Sequence, residues 1–181
     1  ENAGTFEFLS DDVGNFYFME VNARIQVEHP ITEETTGIDI VKEQIKIAEN
    51  GNLSIRQEDV KQKGWAFEFR INAEDPGTFT PQAGKIEFLH FPLGPNIRID
   101  SHIYCGYTIP PFYDSLIAKL IIKGTSRDDC INTAKRALEE FTIEGIKTNI
   151  PLLLKIVNDK DFLEAKISTT YLEKFTGNGS I

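Results

Sequence analysis

Residues 18–30 carry polar side chains in an unusual order. On an extended strand, alternate residues share one face. This spacing predicts that five polar side chains project together: Glu20, Asn22, Arg24, Gln26 and Glu28. An acid, an amide, a cation, a second amide and a second acid in this order favour a site that holds a metal ion, an anion and a base.

Two carboxylates are the candidate metal ligands. Glu7 and Glu20 lie in the two predicted strands of one hairpin, and Asn22 adds a neutral oxygen on the face of Glu20. Such hard oxygen donors suit Mg²⁺ or Mn²⁺, which often bind one or two carboxylates together with phosphate oxygens of a substrate. Taken alone, the two glutamates also fit an exposed hairpin, but the charged residues in line with them favour the metal.

The cation and the second acid indicate chemistry on a small oxyanion. Arg24 offers a planar guanidinium fork for such an anion, with a surface ion pair as the alternative. Glu28 is a candidate general base, with a simple rim carboxylate as the alternative. His29 precedes Pro30, which favours an extended backbone, and a histidine bonded to the backbone is favoured over an acid–base role.

A second arginine, Arg70, is a candidate catalytic residue. Arg70 lies in the middle of a predicted strand, with Glu68 and Asn72 on its own side. It fits equally well a structural ion pair with Glu68 and a cation aimed at a developing negative charge.

The composition limits the class of protein. Of the 181 residues, 40% are hydrophobic and 26% are charged, which is typical of a globular protein. The net charge of −9 argues against a nucleic-acid partner, and no apolar run approaches the roughly 18 residues of a membrane span. Two cysteines far apart in the sequence, Cys105 and Cys130, predict free thiols in a reducing, cytoplasmic setting.

Periodicity and turn residues predict the elements that position these groups. Two strands, over residues 5–9 and 16–22, flank a turn-rich loop, and a helix follows over residues 39–49. Later strands are predicted over residues 65–73, 85–91, 96–101 and 116–123, and later helices over residues 127–141, 149–157 and 169–175.

These elements predict an α+β fold in two parts. Residues 1–50 would end one domain, and residues 51–63 are polar enough to be a connector. Residues 64–175 would form an antiparallel sheet with packed helices, and residues 176–181 would be a flexible tail. Because Glu1 is not an initiator methionine, the chain is expected to begin inside a domain.

The stretch from Glu20 to Glu33 closely resembles the signature of the biotin carboxylase family, the ATP-grasp components of acetyl-CoA, pyruvate and related biotin-dependent carboxylases. Further stretches that look like family landmarks are spread along the chain, at residues 3–8, 68–76, 110–115 and 145–149. The resemblance covers roughly residues 3–175. It implies the C-terminal part of an ATP-grasp domain followed by the biotin carboxylase C-terminal domain.

The resemblance also implies roles for individual residues in a reaction of ATP, bicarbonate and biotin. Three residues would hold the divalent ions that bridge the ATP phosphates: Glu7, Glu20 and Asn22. Three would hold bicarbonate: Arg24, Gln26 and the backbone of Val27. Glu28 would deprotonate bicarbonate, and Arg70 would stabilise the enolate of biotin.

The implied protein is an ATP-dependent ligase that carboxylates biotin on a carrier protein or domain through carboxyphosphate. It would serve a carboxyltransferase, would form a homodimer at full length, and is expected to belong to acetyl-CoA carboxylase in fatty-acid synthesis. The isolated chain is expected to be inactive, because the glycine-rich lid and the lysines that contact ATP would precede Glu1. The alternatives are a non-catalytic dimerisation or assembly module, and another bicarbonate-activating ATP-grasp enzyme such as a carbamoyl-phosphate-forming synthetase.

Overall fold

A two-stranded antiparallel hairpin opens the part of the chain that the computed structural model describes, residues 2–175. Strand β1 (Thr5–Ser10) pairs with β2 (Phe16–Asn22). The Asp11 carboxylate closes the loop between them, accepting hydrogen bonds from the backbone N–H groups of Val13 at 3.1 Å and Asn15 at 2.8 Å. The hairpin was predicted, and β1 is one residue longer than expected.

Two α-helices and a short 3₁₀ turn, Gln57–Asp59, complete the first unit, which ends at Lys63. Helix α1 (His29–Thr36) was not predicted, whereas α2 (Ile40–Asn50) matches the expected helix. The Asp39 carboxylate accepts the backbone N–H of Lys42 at 2.8 Å and so caps the start of α2. The helix ends at Gly51, whose φ of 71° lies in the left-handed region that favours glycine.

The polar stretch is not a single strand, and this sequence prediction was wrong. Strand β2 ends at Asn22, because its partner there, Thr5, is the first residue of β1. Residues 23–28 form an irregular segment with a turn, and α1 begins directly afterwards. Pro30 lies in the first turn of α1, where its missing N–H costs no helical hydrogen bond. His29 therefore begins a helix rather than extending a strand.

The second unit begins at Gly64 and is built on antiparallel strands. They are β3 (Trp65–Asn72), β4 (Gly84–Lys85), β5 (Phe88–His90), β6 (Ile97–Ser101), β7 (Thr108–Ile109), β8 (Leu116–Gly124) and β9 (Thr142–Glu144). Strand β8 lies between β3 and β6, while β4 pairs with β7 and β5 with β9. The single strand predicted over residues 85–91 is thus divided in two, because its halves have different partners.

Within the described residues, this unit has three α-helices: α3 (Arg127–Glu140), α4 (Ile150–Asn158) and α5 (Lys160–Leu163). The core joins the apolar stripe of α3 to the apolar face of the sheet, including Ala134, Leu138, Ile71 and Leu120. The arrangement confirms the predicted α+β fold. None of the helices within residues 2–175 combines the length and apolar character needed to span a membrane.

The end of the chain differs from the sequence prediction. The helix expected over residues 169–175 is a short 3₁₀ turn, Tyr171–Lys174. The predicted tail, residues 176–181, lies outside the described residues.

Candidate functional site

Two carboxylates meet across the hairpin. Glu7 and Glu20 are directly opposite each other in the ladder. The side-chain Nδ2 of Asn22 donates to Oε1 of Glu7 at 2.8 Å and to Oε1 of Glu20 at 2.9 Å. Two carboxylate oxygens therefore converge on one electropositive group.

A β-bulge lies immediately beside this pair. Glu7 pairs with Glu20, but the next residue of β1, Phe8, pairs with Phe18, so Met19 is the extra residue of β2. A bulge bends its strand and redirects the neighbouring side chains. The bulge therefore helps to set the direction of both carboxylates, and the regular alternation assumed from the sequence did not reveal it.

Gln26 joins the carboxylates to the guanidinium. Its Nε2 donates to Oε1 of Glu7 at 2.7 Å, and its Oε1 accepts from Nη1 of Arg24 at 3.0 Å. The same Nη1 also donates to the carbonyl oxygen of Ile25 at 3.2 Å. One continuous chain of hydrogen bonds therefore leads from Glu20 through Asn22, Glu7 and Gln26 to Arg24, and we call it the carboxylate–guanidinium chain.

A cavity of about 210 Å³ opens beside this chain. Arg24, Gln26 and Glu28 all line it. Although these residues do not share one strand, the irregular segment after β2 brings the predicted anion-binding and base residues to one cavity. Val27 is half-buried in the same segment.

The start of α1 positions Glu28 and His29. Glu28 is the N-cap residue of the helix, the end at which a negative charge is favoured, and its side chain is exposed. His29 is half-buried, and its Nδ1 lies 2.7 Å from the carbonyl oxygen of Gln26. A histidine bonded to the backbone was the favoured interpretation, and the structure agrees with it.

Arg70 belongs to the second unit. It lies exposed on β3, opposite Lys119 of β8, and Glu68 and Asn72 are two residues away on either side. Its carbonyl oxygen accepts a hydrogen bond from Nδ2 of Asn149 at 2.9 Å. The sequence did not predict a role for Asn149, because the contact joins positions 79 residues apart.

The predicted metal site contains only two acidic ligands. Within residues 2–175, no group of three or more His, Cys, Asp or Glu residues is arranged to hold a metal ion. Two carboxylates and an amide fit an ion such as Mg²⁺, which typically binds one or two carboxylates and completes its shell with water and substrate phosphates. The metal assignment stays a prediction.

The first unit contains a hairpin with two facing carboxylates, and the second unit is an antiparallel α+β domain. The family model of the biotin carboxylase C-terminal domain matches residues 68–174. The model of the carbamoyl-phosphate synthase L chain, ATP binding domain, matches residues 1–56. The chain belongs to the biotin carboxylase family.

Individual relatives agree with the family models. A biotin carboxylase from Haemophilus influenzae is 55% identical over 97% of this chain and 39% of its own length. A component of the pyruvate carboxylase from Methanothermobacter thermautotrophicus is 49% identical over 97% of this chain and 36% of its own length. The chain thus spans about two fifths of the length of the curated relatives it matches.

A solved structure shares the fold. It is the biotin carboxylase domain dimer of Hydrogenobacter thermophilus 2-oxoglutarate carboxylase, in complex with MgADP, ADP and bicarbonate. It is 50% identical to this chain with a TM-score of 0.92, and the alignment covers 96% of this chain and 38% of the other.

Proposed function

We propose that this chain is part of a biotin carboxylase, an ATP-dependent ligase that activates bicarbonate and transfers the carboxyl group to biotin. The observation that carries the proposal is the carboxylate–guanidinium chain, which reaches a cavity that Glu28 also lines. Cation ligands, an anion-binding fork and a proton acceptor are the groups that such a reaction requires.

Glu7, Glu20 and Asn22 are proposed to hold Mg²⁺ or Mn²⁺ at the ATP phosphates. Bound there, the metal would offset phosphate charge during phosphoryl transfer. The converging carboxylate oxygens support this assignment, as does the MgADP in the complex of the Hydrogenobacter relative. The Asn22 amide now directs Nδ2 at both carboxylates, so it would need to rotate to offer its oxygen to a metal.

Arg24, Gln26 and the backbone of Val27 are proposed to hold bicarbonate. Gln26 fixes one arm of the Arg24 guanidinium, which leaves a planar, pre-oriented fork for the anion. Glu28 would accept the bicarbonate proton while a bicarbonate oxygen attacks the γ-phosphorus of ATP. The bond from that phosphorus to the ADP oxygen breaks, so carboxyphosphate and ADP are the products.

Biotin carboxylation would follow when carboxyphosphate breaks down to CO₂ and phosphate. The phosphate released with CO₂ would take the proton from N1 of biotin, and N1 would then attack CO₂. Arg70 is proposed to stabilise the enolate formed on the ureido oxygen. Biotin would arrive on a carrier protein or domain, and a carboxyltransferase would use the product. A homodimer is proposed for the full-length protein, since the Hydrogenobacter relative is described as a dimer.

Acetyl-CoA is the proposed final acceptor, within acetyl-CoA carboxylase. Pyruvate and 2-oxoglutarate are the competing acceptors, because relatives near 50% identity carry those names. Incubating the full-length enzyme and its carboxyltransferase with each acceptor in turn shows which acceptor is carboxylated.

We also propose that the 181-residue chain alone does not turn over ATP, since it spans only about two fifths of the length of its relatives.

A second candidate is carbamoyl-phosphate formation. The match of residues 1–56 to the ATP binding domain of the carbamoyl-phosphate synthase L chain favours it. Such an enzyme would also activate bicarbonate, but would consume ammonia and would not need biotin. The dependence of product formation on ammonia or on biotin therefore distinguishes the two candidates.

The test uses the full-length protein that contains this chain, with ATP, bicarbonate and biotin. Replacing Glu28 by Gln removes the proton acceptor with little change in size, and we expect a fall in kcat of about 10²–10⁴-fold. Glu49→Gln is the matched control, since Glu49 is an exposed acid on α2. If the rate of ATP cleavage by the wild-type enzyme does not depend on bicarbonate or biotin, the proposed function is contradicted. A fully active Glu28→Gln variant contradicts the proposed role of Glu28.

A further inference from the structure

An asparagine side chain, that of Asn149, binds the backbone at the edge of the strand that carries Arg70. Within the described residues, β3 has one partner strand, β8, so its other edge presents backbone N–H and C=O groups to the side. Beside Arg70 these groups meet Asn149. Its Nδ2 donates to the Arg70 carbonyl oxygen at 2.9 Å, its Oδ1 accepts from the Asn72 N–H at 2.9 Å, and its own N–H donates to the Asn72 carbonyl oxygen at 3.1 Å.

These three hydrogen bonds resemble those that a residue of a neighbouring β-strand would make. In an antiparallel ladder, residues two apart present their N–H and C=O groups to the same side, and Asn149 bonds to three such groups of Arg70 and Asn72. The asparagine is only 7% exposed, and both ends of its amide are used. Rotating the amide would therefore leave two part-buried backbone groups without these partners.

The opposite edge of β3, which pairs with β8, has an irregular ladder close to Arg70. The ladder with β8 is irregular just after Arg70, since Ile71 pairs with Ala118 while Asn72 pairs with Leu116. A bulge weakens the regular restraint that a partner strand gives to the backbone. Asn149 binds the backbone on both sides of Ile71, next to the irregularity in the ladder between β3 and β8.

We propose that Asn149 is a positioning residue for Arg70. The inference rests on the proposed function, in which Arg70 contacts biotin. Asn149 would not touch the substrate, but it fixes the backbone from which the exposed Arg70 side chain leaves the sheet. Since reacting groups must be held within a fraction of an ångström, a small shift of that backbone reduces the rate.

The test compares two activities of the full-length enzyme. Carboxylation of free biotin needs Arg70, whereas bicarbonate-dependent cleavage of ATP without biotin precedes its role. We expect Asn149→Ala to lower kcat/KM for biotin by about 10–100-fold and to leave ATP cleavage without biotin unchanged. The matched control is Asn158→Ala. Asn158 is the exposed last residue of α4, the helix whose N-cap is Asn149, and its side chain donates to the Leu154 carbonyl oxygen at 2.9 Å. Both activities should stay at wild-type level in this variant.

A second variant guards against a failure to fold. Asn149→Asp keeps an acceptor for the Asn72 N–H, but its carboxylate has no proton to donate to the Arg70 carbonyl oxygen. It should show the same selective loss of biotin carboxylation. Equal loss of both activities in the two variants, or failure of both to fold, would assign Asn149 to general stability and overturn the proposal.

A double variant separates this inference from the proposed function. In an Arg70→Ala background, Asn149→Ala should change biotin carboxylation no further, because its effect acts through Arg70. A further tenfold loss in that background overturns the inference. If Arg70→Ala itself leaves biotin kinetics unchanged, the proposed role of Arg70 fails. If Arg70→Ala is impaired but Asn149→Ala behaves as wild type, the inference alone fails.

Discussion

Two side-chain amides organise the charged groups of the candidate site. Asn22 donates to both hairpin carboxylates, and Gln26 lies between Glu7 and Arg24. An amide offers a donor and an acceptor without adding charge, so it can contact a carboxylate and a guanidinium at once. Residue types alone led to the proposed metal and anion ligands, but not to the amide hydrogen bonds that fix their orientation.

A buried carboxylate in the same unit predicts a pH effect on stability. Glu43 of α2 accepts hydrogen bonds from Lys46 Nζ at 2.6 Å and from Ser54 Oγ, and these bonds, led by that of Lys46, lower its pKa from 4.5 to about 2. A lowered pKa stabilises the folded state above pH 4.5, and this stabilisation is lost as the pH falls through about 2.

Glu43→Gln is therefore expected to be less stable than wild type at neutral pH, with the difference shrinking between pH 4.5 and pH 2. Denaturant unfolding across this range measures it. The control is Thr35→Ser, a second buried polar position in this unit whose hydroxyl donates within α1 and does not titrate in that window. A Glu43→Gln deficit that is constant with pH contradicts the assignment.

At the scale of elements, local patterns predicted pairing but not where pairing stops. Alternation and turn residues predicted the hairpin and placed Glu7 and Glu20 on its two strands, but not their exact register. The end of β2 depends on where β1 begins, which the sequence of β2 does not report. Helix α1 was missed because Pro30, which can end a strand, is equally suited to the first turn of a helix. The link from Asn149 to β3 is a long-range contact that no local pattern reports.

Polar contacts hold the 3₁₀ turn Tyr171–Lys174 to the start of α5, and they predict that Tyr171 ionises at an unusually high pH. The Tyr171 hydroxyl donates to Asp159 at 3.0 Å, and Lys174 donates to Asp161 at 2.8 Å. Burial, then the bond to Asp159 and its negative charge, raise the pKa of Tyr171 to about 12. The neutral hydroxyl stabilises the turn below pH 10, and this contribution is lost as the pH rises through about 12.

Tyrosinate absorbance measured during an alkaline titration should show one of the five tyrosines ionising near pH 12. Tyr171→Phe should remove that late step. The control Tyr113→Phe, at a tyrosine that is 82% exposed, should leave it in place. A late step that survives in Tyr171→Phe would contradict the contact with Asp159.

At the scale of the whole molecule, each of the two units corresponds to one family match. The ATP-binding match at residues 1–56 lies in the unit that ends at Lys63, and the biotin carboxylase C-terminal match at residues 68–174 lies in the other. The carboxylate–guanidinium chain belongs to the first unit, and Arg70 with Asn149 to the second. The proposed activity therefore assigns phosphate and bicarbonate chemistry to one unit and biotin chemistry to the other.

The most direct test replaces Gln26 by Met in the full-length enzyme, since Met has similar length but neither donor nor acceptor of an amide. Bicarbonate saturation is measured at several Mg²⁺ concentrations, with Gln62→Met as the control at an exposed glutamine. Hydrogen bonds to charged groups contribute about 1.5–3 kcal/mol, so the half-saturating concentrations of bicarbonate and of Mg²⁺ should each rise by roughly tenfold or more. Wild-type values for both in Gln26→Met would show that the carboxylate–guanidinium chain has no part in binding either one.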